Sequence, residues 1–248
     1  MVRTLIRRGA VAGVTLLGIE AAYAVLRPSP VLESFDPSGE FGHVSLPTIK
    51  VAALGDSSIT APGVGSPDEI WVRILANRLA ASRRVILKSY AIGGSMAHNV
   101  LADQVGPAVE FGPDLALVSV GANDVLKGVP TRVFRSNLDQ VVTTLSGTGA
   151  TVIQSGVGVM GTVPRLYPPL STLMSRRSGR FDRIHREIAA KHGTHVIDQR
   201  SDDARLWNRD RSLWAEDYFH VSAAGHARWA ETTWRTLEPL MNGSNESS

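Results

Sequence analysis

VAALGDSSIT, residues 51–60, begins as a run of small apolar residues, breaks at Gly55 and then presents an acid and two serines, Asp56, Ser57 and Ser58. A short continuous apolar run, without polar alternation, is the mark of a strand buried on both faces. The polar triplet at its end has two readings. Asp or Ser caps the helix that starts there, or one serine is a nucleophile held at the carboxyl end of the strand. Which applies depends on what ends the other strands.

The pattern repeats along the chain. Residues 49–54, 85–92, 115–120 ("LALVSV"), 151–154 and 195–197 read as strands. Residues 69–81 have helical apolar spacing through Ile70, Val72, Ile74, Leu75 and Leu79, residues 133–145 are helical, and 222–240 form a long last helix with Ser222 placed to cap it. Apolar strands alternating with helices predict an α/β fold, a parallel sheet covered on both faces. In such sheets the site lies outside the carboxyl ends of the strands. Those ends carry Gly55-Asp56-Ser57, Gly93-Gly94-Ser95 and Gly121-Ala122-Asn123-Asp124, while "DYFH", residues 217–220, stands before the last helix. A hydroxyl nucleophile, a base, an acid to orient it and donors for an oxyanion are the side chains that acyl transfer requires.

These blocks, in this order, resemble the SGNH hydrolase family, also called GDSL esterases and lipases. The resemblance runs from about Ile49 to Leu240. "GDSS" matches the first block and implies Ser57 as nucleophile, its N–H an oxyanion donor. "AIGGS" matches the second and implies a donor at Gly94; the family's asparagine position in that block is Ser89 here. "GAND" matches the third, with Asn123 as side-chain donor. "DYFHVS" matches the last, with Asp217 and His220 completing a triad. The family's three-layer α/β/α sandwich with a flavodoxin-like parallel sheet is the implied fold. Carboxylic ester hydrolysis through an acyl-enzyme, with no metal and no cofactor, is the implied activity. A small-molecule, lipid or glycan ester would be its substrate. An acyltransferase acting on a sugar or glycan, and a catalytically silent binding module, are the alternatives on the same fold.

Composition sets the frame. The chain has 248 residues, 43% hydrophobic and 20% charged, enough for one domain with a sizeable core. Without cysteine there is no disulfide, thiolate metal site or lipidated thiol. The net charge of +3 belongs wholly to residues 1–27, where Arg3, Arg7, Arg8 and Arg27 face only Glu20; the remainder is neutral, so no nucleic-acid partner is expected. Arginines followed by an apolar run over residues 9–26 and by Ala22-Tyr23-Ala24 read as a signal peptide or membrane anchor, residues 1–27, with membrane contact through 9–26. The run is near the lower limit for crossing a bilayer, which takes about 20 apolar residues. An exported protein is expected, secreted or held on the outer face of the cytoplasmic membrane, and a monomer. Residues 28–47 read as a Pro-rich linker, 48–241 as the hydrolase domain and 242–248 as a disordered tail.

Several residues compete for roles. Ser58 is the alternative nucleophile, and Asp56 reads as a cap or brace of the turn. Among the histidines, His185 and His192 read as solvated, His226 as structural, and His98 as a candidate pocket residue. The arginines 176, 177, 180, 183 and 186 read as a solvated face. "GVGVMG", residues 156–161, matches a dinucleotide fingerprint, but Pro164, Pro168 and Pro169 come soon after and no helix can receive a pyrophosphate there. The loop over 156–173 reads instead as a pocket wall lined by Met160, Leu166, Tyr167 and Leu170.

Overall fold

Six strands form a single sheet in the order β1 (Gly39–Phe41), β3 (Arg84–Ser89), β2 (Thr48–Gly55), β4 (Leu115–Ser119), β5 (Thr151–Ser155) and β6 (His195–Ile197). All neighbours run parallel except β1, which lies antiparallel along β3. Counted alone, the five parallel strands have the flavodoxin order, 2-1-3-4-5, so the connections reverse direction between β2 and β4. The computed structural model describes residues 15–24, 26–200 and 204–243. Its helices are α1 (residues 15–24), α2 (Ser57–Thr60), α3 (Trp71–Leu79), α4 (Ala97–Asn99), α5 (Val105–Phe111), α6 (Ala122–Leu126), α7 (Thr131–Ser146), α8 (Leu170–His192), α9 (Ala204–Arg209) and α10 (Ala223–Gly243).

The pleat sends successive side chains to opposite faces and creates two cores. Ala52, Leu54, Ala116 and Val118 meet Ala108 of α5, Phe134 and Leu138 of α7 and Phe181, Ile184 and Ile188 of α8. Val51, Ala53, Leu115 and Leu117 meet Trp71, Leu75 and Leu79 of α3 and Ala230 and Leu237 of α10. This is the three-layer α/β/α sandwich that the alternation of strands and helices predicts.

The stretch read as a linker carries β1, paired as Gly39 with Leu87 and Phe41 with Val85. Three residues have no readable period, and an edge strand needs only backbone partners. Phe35 and Phe41 nonetheless pack on the second core. Toward the N-terminus, residues 1–14 of the expected export segment lie outside the described residues. Among the described residues no helix is long and apolar enough to cross a membrane. At the other end α10 continues to Gly243, past the expected start of the tail, and residues 244–248 lie outside the described ones.

The glycines of residues 156–161 serve packing. A Cβ on Gly156 would stand 2.4 Å from Asp182 Oδ1, and one on Gly161 would stand 1.9 Å from Ser175 Oγ. Both contacts are with α8, which this loop hugs. The arginine face of α8 is only partly solvated. Arg177 is half-buried and donates to the carbonyls of Val125, at 2.9 Å, and Val129.

Candidate active site

The first strand to reach the site ends on a residue that must be glycine. Gly55 has φ +153°, and a Cβ there would lie 2.0 Å from the carbonyl oxygen of Ser119 on β4. The chain then turns directly into α2. Asp56 caps that turn, its Oδ1 accepting the Ser58 N–H at 2.9 Å. Capping falls to Asp56, so that reading of residues 51–60 does not engage the adjacent Ser57 side chain. Ser57, the first residue of α2, lines a cavity with no hydrogen-bond partner for its hydroxyl among the described residues. Ser58 is engaged instead: its hydroxyl shares a 2.6 Å hydrogen bond with Ser119, and its carbonyl accepts from Trp71 Nε1 at 2.8 Å.

Gly94 comes after β3 in the left-handed region at φ +80°, a position that suits glycine. Its carbonyl accepts from Lys127 Nζ at 3.0 Å. The N–H groups of Ser57 and Gly94 have no acceptor among the described residues. Asn123, in the first turn of α6, ties the strand ends together: its amide donates to Asp56 Oδ2 and to the Ser95 carbonyl, both at 3.1 Å. Its neighbour Asp124 is fully buried and accepts the Ala97 N–H at 3.0 Å, fastening α6 to α4. Burial pushes the Asp124 carboxyl up to about 6. Burial also pushes the Asp56 carboxyl upward, against the hydrogen bonds from Ser58 and Asn123.

Residues 214–221 close into a small loop of their own. Trp214 and Val221 form an antiparallel bridge, and the Ala215 N–H donates to the His220 carbonyl at 2.8 Å. Inside it His220 Nδ1 meets Asp217 Oδ2 at 2.6 Å, while Asp217 Oδ1 accepts the N–H groups of Phe219 and His220, both at 2.9 Å. Burial pushes the Asp217 carboxyl up, but these three hydrogen bonds outweigh it and hold it below its ordinary value. Buried Arg165 braces the loop from outside. It donates to the Asp217 carbonyl at 3.0 Å and, on its other side, to the carbonyls of Ala24, at 2.6 Å, and Arg27. The end of α1 is thereby attached to the acid's loop.

A cavity of about 150 Å³ is lined by Ser57, His220, Met160, Trp207, Trp214 and Trp229 among others. No hydrogen bond joins Ser57 to His220, but both line this cavity. Residues 53–228 match the model of the GDSL-like lipase/acylhydrolase family. The chain belongs to that family. As a GDSL-type protein it is a carboxylic ester hydrolase. It is 27% identical over 191 residues to esterase TesA of Pseudomonas aeruginosa, across 76% of this chain and 87% of TesA. An arylesterase of Vibrio mimicus is 31% identical over 112 residues, across 44% of this chain and 55% of that protein. Among solved structures, LAE5, an alpha/beta hydrolase enzyme from the metagenome of Lake Arreo, superposes with a TM-score of 0.65 at 21% identity, covering 77% of this chain and 95% of LAE5.

Some residues of this GDSL hydrolase depart from their sequence reading. His185 is not solvated: it is fully buried, with its ring nitrogens 3.0 Å from Gln154 Oε1 and 3.1 Å from the Val120 carbonyl. His192 is partly buried against Asp139 at 2.7 Å. His98 is exposed on α4 and lies outside the cavity lining. Of the expected pocket wall, Met160 lines the cavity, joined by Val157, Val159 and Val163. Leu166 is buried in the first core, Leu170 packs on it and Tyr167 is exposed against Tyr23. The proline-rich chain turns away after residue 163, which periodicity cannot reveal.

Other contributors carried no sequence signal strong enough to single them out. Gln104 is fully buried, and its amide grips both sides of Gly55: Nε2 donates to the carbonyl at 2.9 Å and Oε1 accepts the N–H at 2.7 Å. It also reaches Ser95 Oγ at 3.2 Å, joining the first block to the second. Three of the five tryptophans fall within residues 207–229, and that clustering was the available clue to the cavity's lining.

Proposed function

We propose that this protein hydrolyses carboxylic esters through a Ser57–His220–Asp217 triad and an acyl-enzyme. One observation carries the reading: a His–Asp pair locked by three hydrogen bonds opens onto the same cavity as a serine whose hydroxyl is unengaged. With Nδ1–H given to Asp217, the Nε2 of His220 is the acceptor face of a neutral imidazole. Rotation of the Ser57 side chain brings its hydroxyl to that nitrogen. His220 takes the proton as Oγ bonds to the ester carbonyl carbon, and the imidazolium is stabilised by Asp217. The oxyanion collects the N–H groups of Ser57 and Gly94, which have no acceptor among the described residues, and an N–H of Asn123 released from its bond to Ser95. His220 then protonates the departing alcohol. Water repeats the sequence on the acyl-enzyme, with His220 as base.

Relatives named esterase and arylesterase support ester substrates of small-molecule size. A fluorophosphonate probe should label wild-type protein on Ser57. Ser57→Ala and His220→Ala should each remove nearly all esterase activity, with the double variant little worse, because triad members act as a unit. Ser58→Ala should keep substantial activity. A labelled Ser58, with Ser57→Ala still active, would overturn the assignment. We propose in addition that the domain is exported, supported by the arginine-then-apolar order of residues 3–26. A C-terminal alkaline phosphatase fusion should be active; one inactive while a cytoplasmic reporter works refutes export.

A further inference from the structure

The cavity lining holds a polar side chain with nothing to bind among the described residues. His226, in the first turn of α10, is 1% exposed, and its Nδ1 is buried with no hydrogen-bond partner. Its ring stands edge-on to Trp229, 5.3 Å between centroids, in a lining shared with Met160, Trp207 and Trp214. Apart from Ser57, the hydroxyl and amide side chains of the lining are already engaged: Ser58 with Ser119, Thr162 with the Val159 carbonyl, Gln199 with Ser155. Buried polar groups are almost always paired, and an unpaired one inside an apolar cavity is complementary to a ligand atom. Burial first, and then the nearby His220, keep the imidazole neutral, lowering it to about 3.

We infer that His226 is a specificity-determining residue that selects esters whose acyl chain carries a hydroxyl or keto oxygen, hydrogen-bonded to the imidazole beside Trp229 in the cavity. The inference rests on the Ser57 reading above. In an acyl-enzyme the acyl limb stays beside Ser57 while the alcohol leaves, so the acyl limb is the one held against this wall through both half-reactions. The neutral ring sets the class. A keto oxygen accepts from a ring N–H, and a hydroxyl either donates to the ring or accepts from it. A terminal carboxylate would be buried without a countercharge and is rejected.

The test is kinetic and internal to each variant. Para-nitrophenyl esters from butanoate to octanoate are compared with oxo-substituted acyl chains of equal length, and with half-esters of the matching dicarboxylic acids. Wild type should favour the best oxo-acyl ester over its plain partner by about fivefold to tenfold in kcat/KM, the worth of one neutral hydrogen bond, and should discriminate against the half-esters. His226→Phe keeps an aromatic ring beside Trp229 and removes the nitrogens, and should reverse that ratio. His226→Gln restores a donor and should recover part of it. Because each ratio is taken within one protein, loss of folded material cancels; if His226→Phe does not fold, the His226→Gln ratio decides. A wild type with no oxo-acyl preference, or a His226→Phe that retains the wild-type ratio, overturns the inference. Fluorophosphonate labelling of wild-type Ser57 separates that result from failure of the triad reading, in which Ser57 would not be labelled.

Discussion

Gln104 and Asn123 show how single side chains set this site. Gln104→Leu would leave the Gly55 N–H buried without its partner, costing about 1–3 kcal/mol, and would take from the Gly55 carbonyl one of its two donors, the other being the Ile92 N–H at 3.2 Å. Thermal unfolding should show a clear fall in Tm together with reduced activity; a Tm equal to wild type would remove Gln104 from this role. Asn123→Ala should lower kcat on a simple aryl ester by about 10² to 10³, with KM changed far less, because a donor aimed at developing charge acts mainly in the transition state. The same variant also frees Asp56 Oδ2 and the Ser95 carbonyl, so its Tm is measured beside its kinetics. A folded variant with near-normal kcat would leave Ser57 and Gly94 as the donors. At this scale the sequence was informative where chemistry sits next to a strand end. Ser57, Gly94 and Asn123 follow strand ends, and Asp217 and His220 stand just before the last helix. Gln104, Arg165 and His226 were not legible there, since their meaning comes from partners 49, 52 or more residues away or from a cavity wall.

Elements carry a different kind of information. The five parallel strands and the helices α3, α7 and α10 were readable because each presents one periodic apolar face or one unbroken apolar run. Residues 97–111 were not, because three short helical pieces with a wide π turn at Val100–Gln104 never complete a regular stripe. Helix α8 misleads for another reason: its exposed arginines mask a buried face that includes Ser178, Asp182 and His185. That face predicts an acid response. Burial lowers His185 from 6.5 to about 4, so between those values the unfolded chain binds a proton that the folded one does not. Stability from His185 is therefore complete above about 6.5 and is lost as the pH falls toward about 4. Asp124, raised from 3.8 to about 6, pulls the opposite way over much of that window, since its folded form takes up a proton first. The comparison must then be differential. The stability of wild type relative to His185→Gln, from urea unfolding at successive pH values, should shrink on acidification from 6.5 to 4. A difference that stays constant across that window would refute the assignment.

For the molecule as a whole, the sheet divides the apolar residues into two cores, and the site sits where the connections reverse. Phe134 anchors one core, fully buried, 4.5 Å from the ring of Phe181 and 5.4 Å from His185. Phe134→Ala should destabilise by about 3–5 kcal/mol, read as a shift in the urea midpoint at unchanged slope; a shift under about 1 kcal/mol would mean that this core collapses around the gap. The closed loop of residues 214–221 gives the machine its mechanics. On the proposed triad, acid and base ride on one hook, latched shut by its own backbone, while the nucleophile follows directly on the end of β2. A perturbation that shifts this loop as a body should therefore part the hook from the nucleophile before it breaks the imidazole–carboxylate pair.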